Sequence, residues 1–225
     1  LNLLVSETFY SIQGEGPLMG TPCLFIRTAY CNLHCTWCDA WYTWDHKRAD
    51  VKKESFSIPV EDLIKDVRRH RVIIITGGEP LLQRDALEEL IGWAGAYGRL
   101  WQFETNGTRP PLRTNVDIRY VVSPKLSNNE ADPFGRRIKY DVLRQFLGRT
   151  HYFKFVIDHP EDVDEAVHIV NFLGLDNRIV WLMPQAVDSD MLSLKGEWIA
   201  EECKRRGWMY SDRLHIRLYG DQRGT

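Results

Sequence analysis

Three cysteines, Cys31, Cys35 and Cys38, stand within eight residues in a C-x3-C-x2-C spacing. Clustered thiolates are soft ligands and suit an iron–sulfur cluster or zinc. Three thiolates on a four-iron cubane would leave one iron open. That iron could take the amino and carboxylate groups of S-adenosylmethionine, deliver an electron and break a carbon–sulfur bond homolytically. The cofactor would carry the hard chemistry, and the protein would supply binding and orientation. A structural zinc site needs four closed ligands, and the chain has no second C-x2-C pair. Cys23 lies in the apolar run Cys23-Leu24-Phe25-Ile26 and Cys203 in a helical pattern, which leaves His34 or His46 as the fourth ligand of a Cys3His site. The spacing favours the cluster. Trp37, Trp41, Tyr42 and Trp44 crowd the same stretch; they would shield a cluster from water, or simply pack a core.

The elements around this loop read as alternating strands and helices. Residues 3–11 form a strand that opens into Ile12-Gln13-Gly14-Glu15-Gly16-Pro17, where the glycines permit unusual backbone and expose Gln13 and Glu15. A plain connector loop is the other reading. Residues 22–28 form a strand feeding the cysteines, and Arg27 follows its apolar run, either paired internally or reaching a ligand carboxylate. A helix over 59–69 precedes the apolar strand 72–76, which ends in Gly77-Gly78-Glu79-Pro80; there backbone could approach a ligand and Glu79 accept from an ammonium group. A helix over 84–97 carries Leu87, Leu90, Ile91, Ala94 and Tyr97 on one stripe. Strands follow at 100–103, 118–122, 152–157 and 179–183, helices at 160–173 and about 190–206, and a closing strand at 214–218. Residues 127–139, with Asn128-Asn129, Asp132-Pro133 and Gly135, read as a flexible excursion.

Such alternation implies a parallel sheet with helices outside. Polar residues recur just after strand after strand: Gln13, Glu15, Glu79, Glu104, Asn106, Ser123, Lys125 and Gln185. In parallel α/β folds the carboxyl ends of the strands share one face, and that face holds the site. The units are too few for a closed eightfold barrel, so the expected fold is α/β, an open partial (β/α) barrel in a single domain over residues 1–225. At 44% hydrophobic and 27% charged, with a formal net charge of −2, the chain has material for a core and no global electrostatic case for nucleic acid or membrane. No apolar run has transmembrane length and no signal peptide is evident. An odd cysteine count with three crowded together argues against a disulfide scaffold, and a reducing cytoplasm is the expected location.

With these motifs in view, the chain resembles radical S-adenosylmethionine enzymes, whose cluster motif is C-x3-C-x2-C and whose second motif Gly77-Gly78-Glu79-Pro80 resembles. It resembles most closely the 7-carboxy-7-deazaguanine synthase family of the 7-deazapurine (queuosine) pathway. The likeness runs through Ser11 to Gly16, Phe25-Ile26-Arg27, the cysteine loop, Thr76 to Pro80, Glu104 to Thr108, Ser123-Pro124-Lys125, Pro184-Gln185 and Arg213-Leu214-His215. It implies a radical SAM fold, modified and shortened. It implies conversion of 6-carboxy-5,6,7,8-tetrahydropterin to 7-carboxy-7-deazaguanine by hydrogen abstraction, ring contraction and loss of ammonia. Cys31, Cys35 and Cys38 would hold the [4Fe-4S] cluster. S-adenosylmethionine would lie against Trp37, Cys38, Asp39, Gly78, Glu79, Glu104, Asn106, Ser123, Pro124, Lys125, Pro184 and Gln185. The pterin would meet Ile12, Gln13, Gly14, Glu15, Arg27, Thr76 and His215, with Glu15, Arg27 and His215 catalytic. A homodimer and a small redox protein as electron donor, of flavodoxin or ferredoxin type, are implied in the same way.

One position departs from the family pattern. Members carry Thr or Ser after the Cys-Asp pair, its hydroxyl helping to bind magnesium, and here the residue is Ala40. Magnesium takes oxygen ligands and keeps several waters, so a water, Asp39 or Thr43 would have to replace that hydroxyl. Three rivals stand beside this reading, one of them a cysteine loop that packs as ordinary core, which three thiols within eight residues argue against. An activase that makes a glycyl radical on a partner protein would share the cysteine motif but would not need Gln13, Glu15, Arg27 and His215. A zinc or electron-transfer module would need no cofactor cleft behind its strands.

Overall fold

The computed structural model describes residues 1–94, 98–149 and 151–225. Its strands are β1 (Asn2–Ile12), β2 (Pro22–Thr28), β3 (Phe56–Pro59), β4 (Val72–Gly77), β5 (Leu100–Thr105), β6 (Ile118–Val122), β7 (His151–Ile157), β8 (Val180–Pro184) and β9 (Met209–Tyr210). They form one sheet in the order β3-β1-β2-β4-β5-β6-β7-β8-β9. From β2 to β9 every pairing is parallel. The row ends on β3 and β9 without joining them, so the curved sheet is an open partial barrel.

The helices are α1 (Val60–Val67), α2 (Arg84–Ala94), the short α3 (Phe134–Arg137) and α4 (Tyr140–Leu143), α5 (Pro160–Leu173), α6 (Ser189–Arg206) and α7 (Leu214–Tyr219), of which α1, α2, α4, α5 and α6 pack on the outer face. Strand β4 shows why the layers form. Ile73 and Ile75 join the large outer core with Leu63, Leu87, Leu90, Phe103 and Phe155. Val72 and Ile74 point inward to a smaller cluster with Cys23 and Phe25. A strand buried on both faces reads as the continuous apolar run seen in the sequence. Among the described residues no helix is long and apolar enough to cross a membrane.

Three expectations are corrected. Residues 214–218 are helical, not a strand. The Leu214/Ile216/Leu218 alternation imitates period two, yet Ile216 is buried and Leu218 exposed, and β9 already supplies the sheet's edge. Strand β1 runs antiparallel to both neighbours, and β3 and β9 were not foreseen. Residues 127–139 are no loose excursion: Asn129, Asp132, Arg137 and Ile138 are buried, and a 3-10 turn (Ser127–Asn129) and α3 order the segment. The second helix is described to Ala94, so its expected residues 95–97, Tyr97 among them, lie outside the described residues.

Candidate active site

One cavity opens where the cysteine loop meets the carboxyl ends of β2 and β4 to β8. Its wall includes Cys31, Cys35, Cys38, Trp37, Asp39 and Ala40 from the loop, and Arg27, Thr76, Gly78, Glu104, Asn106, Ser123, Lys125, Pro184, Gln185 and His215 from the sheet and α7. Ile12, Gln13, Gly14 and Glu15 complete it. Their route differs from the expected one. Because β1 is antiparallel, its last residue Ile12 pairs with Pro22 at the start of β2. The loop then crosses the inside of the sheet to the opposite edge. Gln13 Nε2 donates to Glu104 Oε1 on β5 (2.8 Å), Gly16 N to Ser211 Oγ (2.8 Å), and Leu214 N to the Gly14 carbonyl (2.9 Å). Gln13 and Glu15 are therefore enclosed rather than exposed at a strand end. Gly14 is required by this crossing, because a Cβ there would fall 1.9 Å from His215 Nδ1.

Two residues expected at S-adenosylmethionine do not line the cavity. Glu79 is wholly buried and does not line the cavity; its carboxylate accepts from Leu81 N (3.0 Å), Thr105 Oγ1 (2.8 Å) and Asn106 N (2.7 Å). These three donors make it a tie between the turns that follow β4 and β5. Burial raises its pKa in spite of those donors. Pro124 is also buried and off the wall. Gly78 is on the wall and could only be glycine: its Cβ would meet the Tyr30 carbonyl oxygen at 2.0 Å.

The cysteine side is nearly neutral. Burial pushes the Cys35 thiol up to about 12 and raises Cys31 and Cys38 as well, so a bound cation would be needed to hold them as thiolates. Cys31 Sγ accepts from Leu33 N (3.4 Å). Trp37 Nε1 donates to the Asn128 carbonyl (2.9 Å), and Lys125 lies 5.7 Å from the Trp37 ring centre. His34 turns to Asp132 (3.3 Å) and His46 packs near Tyr30; neither lines the cavity, so neither completes a zinc site. Among the described residues no three His, Cys, Asp or Glu side chains are arranged around a single metal ion. All three thiols line the one cavity, and three clustered thiolates suit an iron–sulfur cluster.

The opposite side is densely charged, and two of its members were missed from sequence. Lys154 on β7 pairs with Glu15 Oε2. Arg213 donates to Glu15 Oε1 (3.0 Å), to the Ala186 carbonyl (2.5 Å) and to Asp39. Burial alone would raise the Glu15 pKa; Lys154, Arg213 and His215 outweigh it and hold the carboxyl far below its usual range. Burial would likewise lower Lys154, and Glu15 and Glu104 overcome it. For His215 burial wins over the pull of Glu15, and the imidazole is held below its usual value, neutral at pH 7. Lys154 sits in the apolar strand Tyr152-Phe153-Lys154-Phe155-Val156, and this lysine within an apolar run was the one available signal. Arg27 resolves its two readings together: Nε pairs with Glu7 (2.6 Å) while the side chain also lines the cavity. Ala40 lines the cavity without a side-chain oxygen, and Thr43 is fully buried with its hydroxyl donating to the Ala40 carbonyl (2.7 Å). Thr225 also reaches the wall.

An open (β/α) barrel with three cysteines at the carboxyl ends of its strands defines a class, and residues 25–190 match the Radical SAM superfamily model. A 7-carboxy-7-deazaguanine synthase from Rhodopirellula baltica is 34% identical over 100% of this chain and 89% of that protein, and one from Pyrobaculum aerophilum is 36% identical over 98% and 96%. The crystal structure of QueE from Escherichia coli superposes with a TM-score of 0.75 at 26% identity, covering 95% of each chain. The chain belongs to the 7-carboxy-7-deazaguanine synthase family of the radical SAM superfamily. That family implies a [4Fe-4S] cluster and S-adenosylmethionine. A glycyl-radical activase is not favoured by these relatives.

Proposed function

We propose that this chain converts 6-carboxy-5,6,7,8-tetrahydropterin to 7-carboxy-7-deazaguanine with release of ammonia. The observation that carries the reading is one cavity lined both by three thiols and by Gln13, Glu15 and Arg27. When bound, the cluster and S-adenosylmethionine supply one-electron, hydrogen-abstracting chemistry. Cys31, Cys35 and Cys38 would hold the cluster. Backbone at Gly78, with Ser123, Lys125, Asn106 and Gln185, would hold S-adenosylmethionine against Trp37.

The remaining residues orient the pterin. Arg27, its Nε fixed by Glu7, offers the rest of its planar fork to the substrate carboxylate. Lys154 and Arg213 keep Glu15 ionised, so that it accepts N–H groups of the pyrimidine edge. Gln13, tied to Glu104, presents a fixed amide beside it. Neutral His215 packs against Gly14 and closes this side to water. Magnesium would bind chiefly through substrate oxygens and water, because Ala40 offers no side-chain oxygen. A homodimer, a small redox protein as electron donor and a reducing cytoplasmic setting complete the proposal.

The test is anaerobic turnover of the reconstituted protein with S-adenosylmethionine, dithionite and the pterin, followed by mass, with and without magnesium. Formation of 7-carboxy-7-deazaguanine is expected. Deoxyadenosine with the pterin untouched would sink the substrate assignment, and a rate unchanged by thorough chelation would sink the role of magnesium. Light scattering at working concentration checks the dimer.

A further inference from the structure

The segment after β6 does more than cover the cysteine loop. Asn129 is fully buried, and its side-chain Nδ2 lies 3.3 Å from Cys35 Sγ. The direction of that amide is fixed by its other partners. Nδ2 also faces Asp132 Oδ2 (3.2 Å), which can only accept, while Oδ1 faces Ala131 N (3.2 Å), which can only donate. The atom turned to the sulfur is therefore an N–H. Asp132 is anchored by His34 N (2.6 Å) and by Arg136 (3.2 Å), and its side chain is shut off from solvent. The Asn129 carbonyl accepts from Thr36 N (3.3 Å) and Thr36 Oγ1 (3.1 Å), so one residue grips both Cys35 and its neighbour. The backbone is bent to achieve this: Glu130, directly after Asn129, sits at φ 60° and ψ −34°, a strained region for a residue with a Cβ.

Hydrogen bonds to ligating sulfurs help set the potential of an iron–sulfur cluster. Reduction by one electron from a low-potential donor adds negative charge that spreads onto the sulfurs, and an N–H aimed at one of them favours the reduced state. Taking the cluster that the family implies, we infer that Asn129 is a positioning residue whose amide N–H, held by Asp132, bonds to the Cys35 thiolate and raises the reduction potential of the cluster. Asparagine rather than aspartate is required there, since a carboxylate would face both Asp132 and a thiolate.

The experiment is a redox titration of the anaerobically reconstituted protein, followed by the electron paramagnetic resonance of the reduced cluster. Asn129→Leu keeps the volume and removes the donor. Its ratio of reduced to oxidised cluster at a fixed potential is expected to fall about tenfold, or ~59 mV for a one-electron couple. Asn129→Asp should fall at least as far. Asp132→Asn, which leaves Asn129 in place but removes its anchor, should shift less and in the same direction. Variants with wild-type iron content and wild-type potential would overturn the inference. Where Asn129→Leu does not load iron, the Asp132→Asn titration decides by the same criterion. A wild-type protein that forms no cluster would instead sink the functional reading beneath it, so the two failures are distinct.

Discussion

The two walls of the cavity are built on opposite principles. The sulfur wall is neutral and held by N–H groups and backbone carbonyls, with Leu33 N on Cys31 and Asn128 and Asn129 on Trp37, Thr36 and Cys35. The facing wall is ionic, with Glu15 between Lys154 and Arg213, and Arg213 reaches back to Asp39 at the end of the cysteine loop. A buried thiol without a cation remains protonated, so the first wall is complete only when a metal cluster supplies the charge. The second wall is complete without any ligand. The difference separates the tasks we propose for them: the cysteines would take the cofactor, and the ionic groups, already paired, would orient a polar substrate.

Breaking the sulfur wall should have the largest effect. Cys35→Ala removes one of three ligands, and we expect the cluster to be lost, with product formation below detection by mass. The facing wall does not depend on that thiol, so the metal-free stability should change by no more than about 1 kcal/mol. Iron analysis and urea unfolding of the same preparation measure the two halves of this prediction. A large loss of metal-free stability would show that the walls are not independent.

The two walls also differed in how far sequence exposed them. Cys31, Cys35 and Cys38 carry their meaning in local spacing, and the polar residues after β4, β5, β6 and β8 follow from strand periodicity. Glu15 could be named, but its surroundings could not. Lys154 lies in mid-strand and Arg213 between β9 and α7, and they meet Glu15 only because the Gln13–Gly16 loop crosses the sheet. That crossing depends on β1 being antiparallel, which hydrophobic alternation does not report. The same limit hid Asn129: a run rich in Asn, Asp, Pro and Gly has loop composition whether it is loose or, as here, folded over a thiol. Residues 214–218 failed for a local reason, since five residues are too few to separate a period of two from one of 3.6.

The ionic wall can be broken at its centre. Arg213 is almost wholly buried, and Arg213→Met leaves Glu15 and Asp39 facing each other without it. Removing one partner of a buried ion pair is expected to cost about 3 kcal/mol in urea unfolding. A cost under about 1 kcal/mol would mean that the pairing exchanges freely with water. A finer test is the cycle of Glu15→Gln, Lys154→Met and the double variant. Their coupling should be about 2 kcal/mol, since contacting charges shielded from solvent do not contribute independently. Additive single effects would remove Lys154 from the account of Glu15.

The smallest expected effect concerns His215, which joins the ionic wall without carrying charge. Its imidazole is lowered from the usual 6.5, first by burial and then by Arg213 and Lys154, against Glu15 and Asp39. The folded state then binds fewer protons at this site than the unfolded chain at pH values below about 6.5, so stability must fall as the pH drops through that range. Glu15 acts later and with the same sign: its lowered carboxyl contributes stability above about 4.5, lost on further acidification. Melting temperatures between pH 7.5 and 5.5 should therefore slope downward toward acid in the wild type, and the slope should flatten in His215→Gln, which cannot take up the proton. An unchanged slope in the variant would place the proton uptake elsewhere. A wild type that gains stability over this interval would reverse the sign and make His215 a cationic partner of Glu15, 4.0 Å away.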